Sequence, residues 1–159
     1  MKERISLNMQ LEDLHQDNWE EVAELEVADD QRGFMASNLY SIAQSRFLPG
    51  FFTKAVVSEN RIVGFAMYGP DPDDGHIWLY RLMIDRHHQR RGLGRAALGR
   101  ILQHVHADLH APVLRLGVRP DNSAAKTLYE SVGFRSTGQS IDDEEILQFE
   151  FPGTRREQD

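Results

Sequence analysis

The chain has no cysteine among its 159 residues, which excludes disulfides, thiolate zinc sites and a cysteine nucleophile together. Covalent chemistry must therefore use another group. No run approaches the roughly 18 to 20 apolar residues that cross a bilayer. Met1-Lys2-Glu3-Arg4 leads into alternating residues instead of the apolar core of a signal peptide. The expectation is a soluble, cytoplasmic protein. An excess of positive charge is also missing, with 18 Lys and Arg against 25 Asp and Glu and a formal net charge of -7. Nucleic acid and anionic membrane, which need a large basic face, are disfavoured as partners.

With 40% hydrophobic residues, a chain of this length buries roughly 70% of its unfolded surface. The sequence shows no internal repeat, low-complexity tract or linker, so residues 1–153 are expected to form one domain. Residues 154–159 carry no packing signal and are expected to be a flexible tail.

Ile5 to Met9 alternates as a strand does, and Asp17 with Glu20 forms an acidic variant of the capping box before a helix reaching about Val27. A second helix is expected from Asp30 to Arg46, ended by Pro49-Gly50. Phe52 to Ser58 and Ile62 to Gly69 predict a hairpin about Glu59-Asn60-Arg61, followed by a longer strand from His76 to Ile84. Leu98, Ile101, Leu102, Val105 and Leu109 then mark one stripe of a long helix beginning near Gly92. Val113 to Val118 predicts a strand. Asp121 to Ser131 predicts a helix with Ala124, Ala125, Leu128 and Val132 inward, ended by Gly133. Phe134 to Gly138 and Glu145 to Phe151 complete the sheet. The order β-α-α-β-β-β-α-β-α-β-β defines a mixed α/β domain, in which the strands flanking the long helix should be parallel through a right-handed crossover.

The most informative stretch runs from Leu82 to Arg95, where an apolar strand empties through a basic, glycine-punctuated loop into that helix. Gly92 and Gly94 let backbone approach a ligand, and the unpaired amides of a helix's first turn favour phosphate or pyrophosphate. Gly92 to Ala97 formally matches the Rossmann pattern G-x-G-x-x-G/A. That pattern should follow its strand directly and precede an acid at a later strand end, and neither holds here. A P-loop is excluded because no Gly-Lys-Ser/Thr follows. An ordinary strand-to-helix turn remains the alternative.

Gln89 to Gly94 also match a Gln/Arg-x-x-Gly-x-Gly/Ala loop, and Asn122 is followed seven residues later by Tyr129. In these two features the chain resembles the GNAT N-acetyltransferase superfamily, from about Ile62 to Phe151. The resemblance implies a mixed central sheet with helices on both faces, acetyl-CoA as co-substrate, no metal, and splayed parallel strands beside the glycine turn. Leu82, Met83 and Ile84 would offer strand backbone to the cofactor arm and thioester. Gln89, Arg90, Arg91, Gly92, Leu93, Gly94 and Arg95 would hold the pyrophosphate, and Asn122 would contact the arm. Tyr129 would protonate the departing thiolate. One branch, acting on ribosomal proteins, carries a glutamate base five residues before the asparagine. Here that position is Gly117, which leaves the base unassigned among Glu26, Asp71, His76 and Tyr80.

Phe65 to Gly69, Trp78 to Asp85, and Leu25 to Ala28 with Gln31, Phe34, Met35 and Ser37 resemble the bacterial spermine/spermidine acetyltransferase branch. A polyamine groove needs spaced carboxylates and aromatic cover. The resemblance assigns substrate binding to Glu26, Asp30, Trp78 and Tyr80, with Asp29, Asp73 or Asp74 beside them. It implies a small-molecule amine as partner, a polyamine being the first to test, and a homodimer. The alternatives are a protein, amino-acid or drug N-acetyltransferase of the same fold, and an inactive acyl-CoA-binding module.

Overall fold

A computed structural model describes residues 8–153. Within them run β1 (Met9–Asp13), α1 (Trp19–Glu24), a 3-10 turn (Asp29–Phe34), α2 (Asn38–Ser45), β2 (Phe52–Ser58), β3 (Arg61–Pro70), β4 (Ile77–Ile84), α3 (Leu93–Ala107), β5 (Val113–Val118), α4 (Ser123–Val132), β6 (Arg135–Ile141) and β7 (Glu144–Glu150). The strands form a single seven-stranded sheet in the order β1-β2-β3-β4-β5-β7-β6. Each neighbouring pair is antiparallel except β4 and β5, which are parallel. This is the mixed α/β fold that the element order implies. Ile5 to Leu7 of the expected first strand and the tail 154–159 lie outside the described residues.

The period of two in each strand sorts side chains between two cores. Leu82 and Ile84 face the core under α3, with Leu98, Ile101, Val105, Leu114 and Leu116. Met83, between them in sequence, joins Val22, Ala55, Val57, Phe65 and Met67 on the opposite face, under α1 and α2. Helices therefore cover both faces. Two tight hairpins use consecutive residues of positive φ, Glu59-Asn60 (51° and 63°) and Asp142-Asp143 (49° and 65°). That pairing matches the twist of antiparallel strands.

Several helix boundaries differ from the sequence expectation, each through a tertiary contact. Asp17 and Glu20 form no capping box. Asn18 stands at the cap, buried, its amide turned back on the preceding turn to accept from His15 N at 2.8 Å and donate to Asp13 O at 3.1 Å. The helix stops at Glu24, short of Val27, because Glu26 is held elsewhere: its amide donates to Asp85 Oδ1 at 3.0 Å and its carbonyl accepts from Arg86 N at 2.7 Å. The expected helix from Asp30 to Arg46 is two pieces, parted at the extended Met35. Ser37 caps the second piece by accepting from Tyr40 N at 3.1 Å, and Asn38 Nδ2 ties it to Val22 O at 2.9 Å.

In α3, Leu98, Ile101 and Val105 are buried as the stripe requires, whereas Leu109 lies past the helix end. No α4 residue is fully buried. Ala125, Tyr129 and Val132 pack on the core, and Ala124 is exposed, contrary to its inward placement. Gly133, with φ 129°, ends α4 as expected. Phe134 belongs to the buried core rather than to β6, its amide donating to Tyr129 O at 3.0 Å.

Candidate active site

The parallel strands β4 and β5 are in register only at Ile77 with Leu114 and at Trp78 with Arg115. Beyond Trp78 they part. The cause is a bulge in β4: Met67 faces Arg81 while Tyr68 faces Leu79, so Tyr80 has no partner on β3. An extra residue bends its strand and raises the local twist. The opening is a cleft of about 1420 Å³ with Leu82, Met83 and Ile84 on one wall and Leu116, Gly117 and Val118 on the other. It extends the length of β4, from Asp71, Asp74 and Trp78 at its start to Gln89, Arg90, Gly92 and Gly94 beyond its end.

The glycine turn is held by its own polar groups. Asp85 is buried and accepts from the amides of Glu26 and His87, at 3.0 and 3.3 Å. Gln89 Nε2 donates to Ile84 O at 2.9 Å and to Gln31 Oε1 at 2.8 Å, tying the loop to the end of β4 and to the 3-10 turn. Arg90 and Gly92 have φ of 65° and 73°, a conformation costly to side chains at all but a few residue types. The first intrahelical bond of α3 runs from Ala96 N to Gly92 O at 3.1 Å, leaving the amides of Leu93, Gly94 and Arg95 without intrahelical acceptors.

This turn fits a diphosphate. A Cβ added at Gly92 would meet nothing within 4 Å, and one at Gly94 would make only ordinary contact with Leu128 at 3.7 Å and Ile84 at 3.8 Å. Packing does not demand the bareness of Gly94. Free amides at the start of a 15-residue helix add the partial positive charge that anions seek.

Not every residue of the basic stretch shares this place. Arg90 lines the cleft, while Arg91 and Arg95 do not. Arg95 Nη2 instead donates to Ser131 Oγ on α4. Across the cleft Asn122 caps α4, its Oδ1 accepting from Ala125 N at 3.3 Å. About two turns further along, Tyr129 reaches the same space, packed edge-on to Phe134 at 5.6 Å between ring centroids. Burial pushes its phenol up to about 12, so at neutral pH it is a proton donor and not a base.

At the start of β4 the polar residues hold one another. Trp78 Nε1 donates to Asp74 Oδ2 at 2.9 Å, and Arg115 Nη1 reaches the same oxygen at 3.4 Å. Tyr80 donates to Asp71 Oδ2 at 2.5 Å and packs edge-on to Phe51 at 4.7 Å. Burial, then this carboxylate, raises the Tyr80 phenol well above its usual range. Asp30 lines the cleft; Glu26 does not. Glu26 is exposed and pairs with Arg32 at 3.1 Å and Arg86 at 4.0 Å. Of the four base candidates, Asp71 and Tyr80 line the cleft, and Glu26 and His76 stand outside it.

Among the lining residues that the sequence does not single out are Arg81 and Glu144. Arg81 ties β4 to α2 through Ser41 Oγ at 3.0 Å and Gln44 Oε1 at 3.1 Å, with burial lowering its pKa. Glu144, at the start of β7, lies over Gly117, where an added Cβ would sit 2.7 Å from its Oε1. Neither carries a local motif, and only the strand register brings them here.

A seven-stranded sheet splayed at its parallel pair, with a bare helix start at the apex, defines the acetyltransferase fold of this class. The chain is similar over 89% of its length, and 94% of the other, to a spermidine N-acetyltransferase from Vibrio cholerae solved with CoA and spermine, at a TM-score of 0.71 and 16% identity. Residues 9–134 match the acetyltransferase (GNAT) family. The chain belongs to that family and is an acetyl-CoA-dependent N-acetyltransferase. Among curated proteins it is 29% identical, over 77% of its length and 85% of the relative's, to a probable spermine N(1)-acetyltransferase of Bacillus subtilis subsp. natto. It is 28% identical over the same shares to a spermine/spermidine N(1)-acetyltransferase of Bacillus subtilis strain 168.

Proposed function

We propose that the protein transfers an acetyl group from acetyl-CoA directly to a primary amine, and that polyamines are its acceptors. The observation that carries this is the cleft itself, whose parted strand walls run into the bare turn at Gly92 and Gly94. When bound, acetyl-CoA supplies an activated acyl carbon. The amides of Leu93, Gly94 and Arg95, with the Arg90 guanidinium, would hold its diphosphate. Backbone of Leu82, Met83 and Ile84 would line the arm, with a strand amide near Met83 or Ile84 placed to donate to the carbonyl oxygen as charge grows there. Asn122 would face the arm from α4. Tyr129 would give its proton to the departing sulfur, and burial keeps that proton in place at neutral pH. Gln89 ties the turn to Ile84 and Gln31 while lining the cleft, Arg95 is held on Ser131, and Arg91 stands outside the cleft lining.

The acceptor end supports a cationic, extended substrate. Asp30, Asp71, Asp73 and Asp74 line the cleft with Trp78 and Tyr80, combining charge with aromatic cover for methylenes and ammonium heads. Two distant relatives are polyamine acetyltransferases by name. Residues 1–153 as one catalytic domain followed by a tail, a homodimeric assembly and a cytoplasmic location belong to the same proposal. No helix of the described residues is long and apolar enough to cross a membrane.

Free-thiol release from acetyl-CoA tests the reading across spermidine, spermine, amino acids, lysine peptides and drug amines. Fastest turnover with the polyamines is expected. A preference for peptides or amino acids would keep the enzyme and overturn the substrate. Tight acetyl-CoA binding without thiol release for any amine would favour the acyl-CoA-binding module.

A further inference from the structure

An amine acceptor arrives as an ammonium ion, and an ammonium ion cannot attack. The cleft must therefore hold a proton acceptor near the strand wall where the acyl carbon would lie. Among the carboxylates lining it, Asp30, Asp73, Asp142 and Asp143 are exposed and Asp74 is engaged by Trp78 and Arg115. Asp71 accepts the Tyr80 hydroxyl. Glu144 differs from all of these, because it is half-buried and lies directly over Gly117 on the β5 wall, facing the gap from Leu82, Met83 and Ile84.

That position is built by register. Gly117 is paired with Ile146, and Glu144, two residues earlier on β7, shares the cleft face with Ile146 by the period of two. Any side chain at 117 would occupy the carboxylate's place, since even a Cβ would come within 2.7 Å of Oε1 and 3.1 Å of Cδ. The bare residue on β5 thus makes room for a carboxylate supplied by β7.

Resting on the amine transfer proposed above, we propose that Glu144 is the general base that takes the proton from the acceptor ammonium, directly or through one water. The neutral nitrogen forms its bond to the acyl carbon as the carbon–sulfur bond breaks, and Tyr129 gives its proton to the sulfur. The nitrogen proton lost as the amide forms restores the Tyr129 phenol, and Glu144 releases its own to solvent, for a net gain of one proton in solution. Groups facing Glu144 are Arg81 from β4, Arg119 beyond β5 and Asp142 in the β6–β7 turn. Burial raises its pKa, Arg81 and Arg119 oppose the rise, and Asp142 adds to it. A carboxylate raised in this way is a stronger base.

Steady-state kinetics with spermidine across pH provide the test, with acetyl-CoA-induced thermal shift as the check on folding and cofactor binding. In Glu144→Gln, kcat should fall about 100-fold with the thermal shift retained. The acid-side inflection of wild-type kcat/KM, above the ordinary carboxylate range, should vanish, and Glu144→Asp should restore part of the rate and the inflection. Gly117→Ala keeps the carboxylate but displaces it, and kcat should fall about tenfold, one step of about 1.4 kcal/mol in the barrier. Wild-type kcat and an unaltered pH profile in Glu144→Gln, or a change confined to KM, would overturn the assignment. A wild-type enzyme that binds acetyl-CoA yet acetylates no amine would defeat the transfer reading itself, and this proposal with it.

Discussion

The two ends of the cleft are built in opposite ways. At the helix end, a single stretch from Asp85 to Arg95 supplies the buried anchor, the two bare positions and the free amides. Its internal bonds are short-range, such as His88 N to Asp85 O at 2.9 Å and Gln89 Nε2 to Ile84 O at 2.9 Å. At the acceptor end the walls come from the 3-10 turn, the loop after β3, β4, β5 and the β6–β7 turn. A diphosphate presents the same shape to any enzyme that uses it, so a contiguous turn suffices. Acceptors differ, and an end assembled from separate segments can change one segment without disturbing the turn.

The comparison is sharpest where it is broken. Tyr129→Phe removes only a hydroxyl and should lower kcat about 100-fold while acetyl-CoA affinity by calorimetry stays near wild type. With the phenol held at about 12, it is protonated throughout the working range, so no alkaline decline below about pH 11 belongs to it. Full activity in the variant would remove Tyr129 from the chemistry. Gly92→Val forces a β-branched residue to φ 73°. Strain of about 1 to 3 kcal/mol and crowding of the amides should weaken acetyl-CoA binding by about tenfold or more. Unchanged calorimetric affinity would separate the turn from the diphosphate.

Smaller effects belong to the acceptor end. Asp74→Ala unties Trp78 and Arg115 together, and the Michaelis constant for spermidine should rise about fivefold, close to 1 kcal/mol. Acetyl-CoA affinity should not move; a loss there would mean the two ends are one unit. Asp30→Ala should raise the same constant about two- to threefold, a partly solvated charge being worth under about 1 kcal/mol. Glu26→Ala should do less, since its carboxylate faces Arg32 outside the cleft. A larger effect at Glu26 than at Asp30 would mean that the acceptor path runs along the outer face.

How far the sequence could be read follows the same division. The long helix was legible because Leu98, Ile101 and Val105 recur on one face whatever lies opposite, and they are buried. Asn122 and Tyr129 were legible because seven residues place both toward one side of a helix. The first helix end was not, since what stops it at Glu24 is the grip of Asp85, 59 positions from Glu26. The break at Met35 was also missed, because apolar periodicity continues across it while Ser37 and Asn38 start a new helix against Val22 O. Glu144 carries no mark in the sequence, because it meets Gly117 only through the pairing of β5 with β7.

From its residue order alone, this chain determined the alternation of elements, the parallel crossover around α3 and the glycine turn that opens it. Each is marked by local pattern, the strand and helix periods and the glycines of the turn, even where its contacts reach further along the chain. Only the assembled sheet decided where β4 and β5 part, which carboxylates reach the gap and that Gly117 shelters Glu144. Those outcomes depend on a bulge at Tyr80 and on the register between β5 and β7, and register joins positions whose separation along the chain carries no periodic mark.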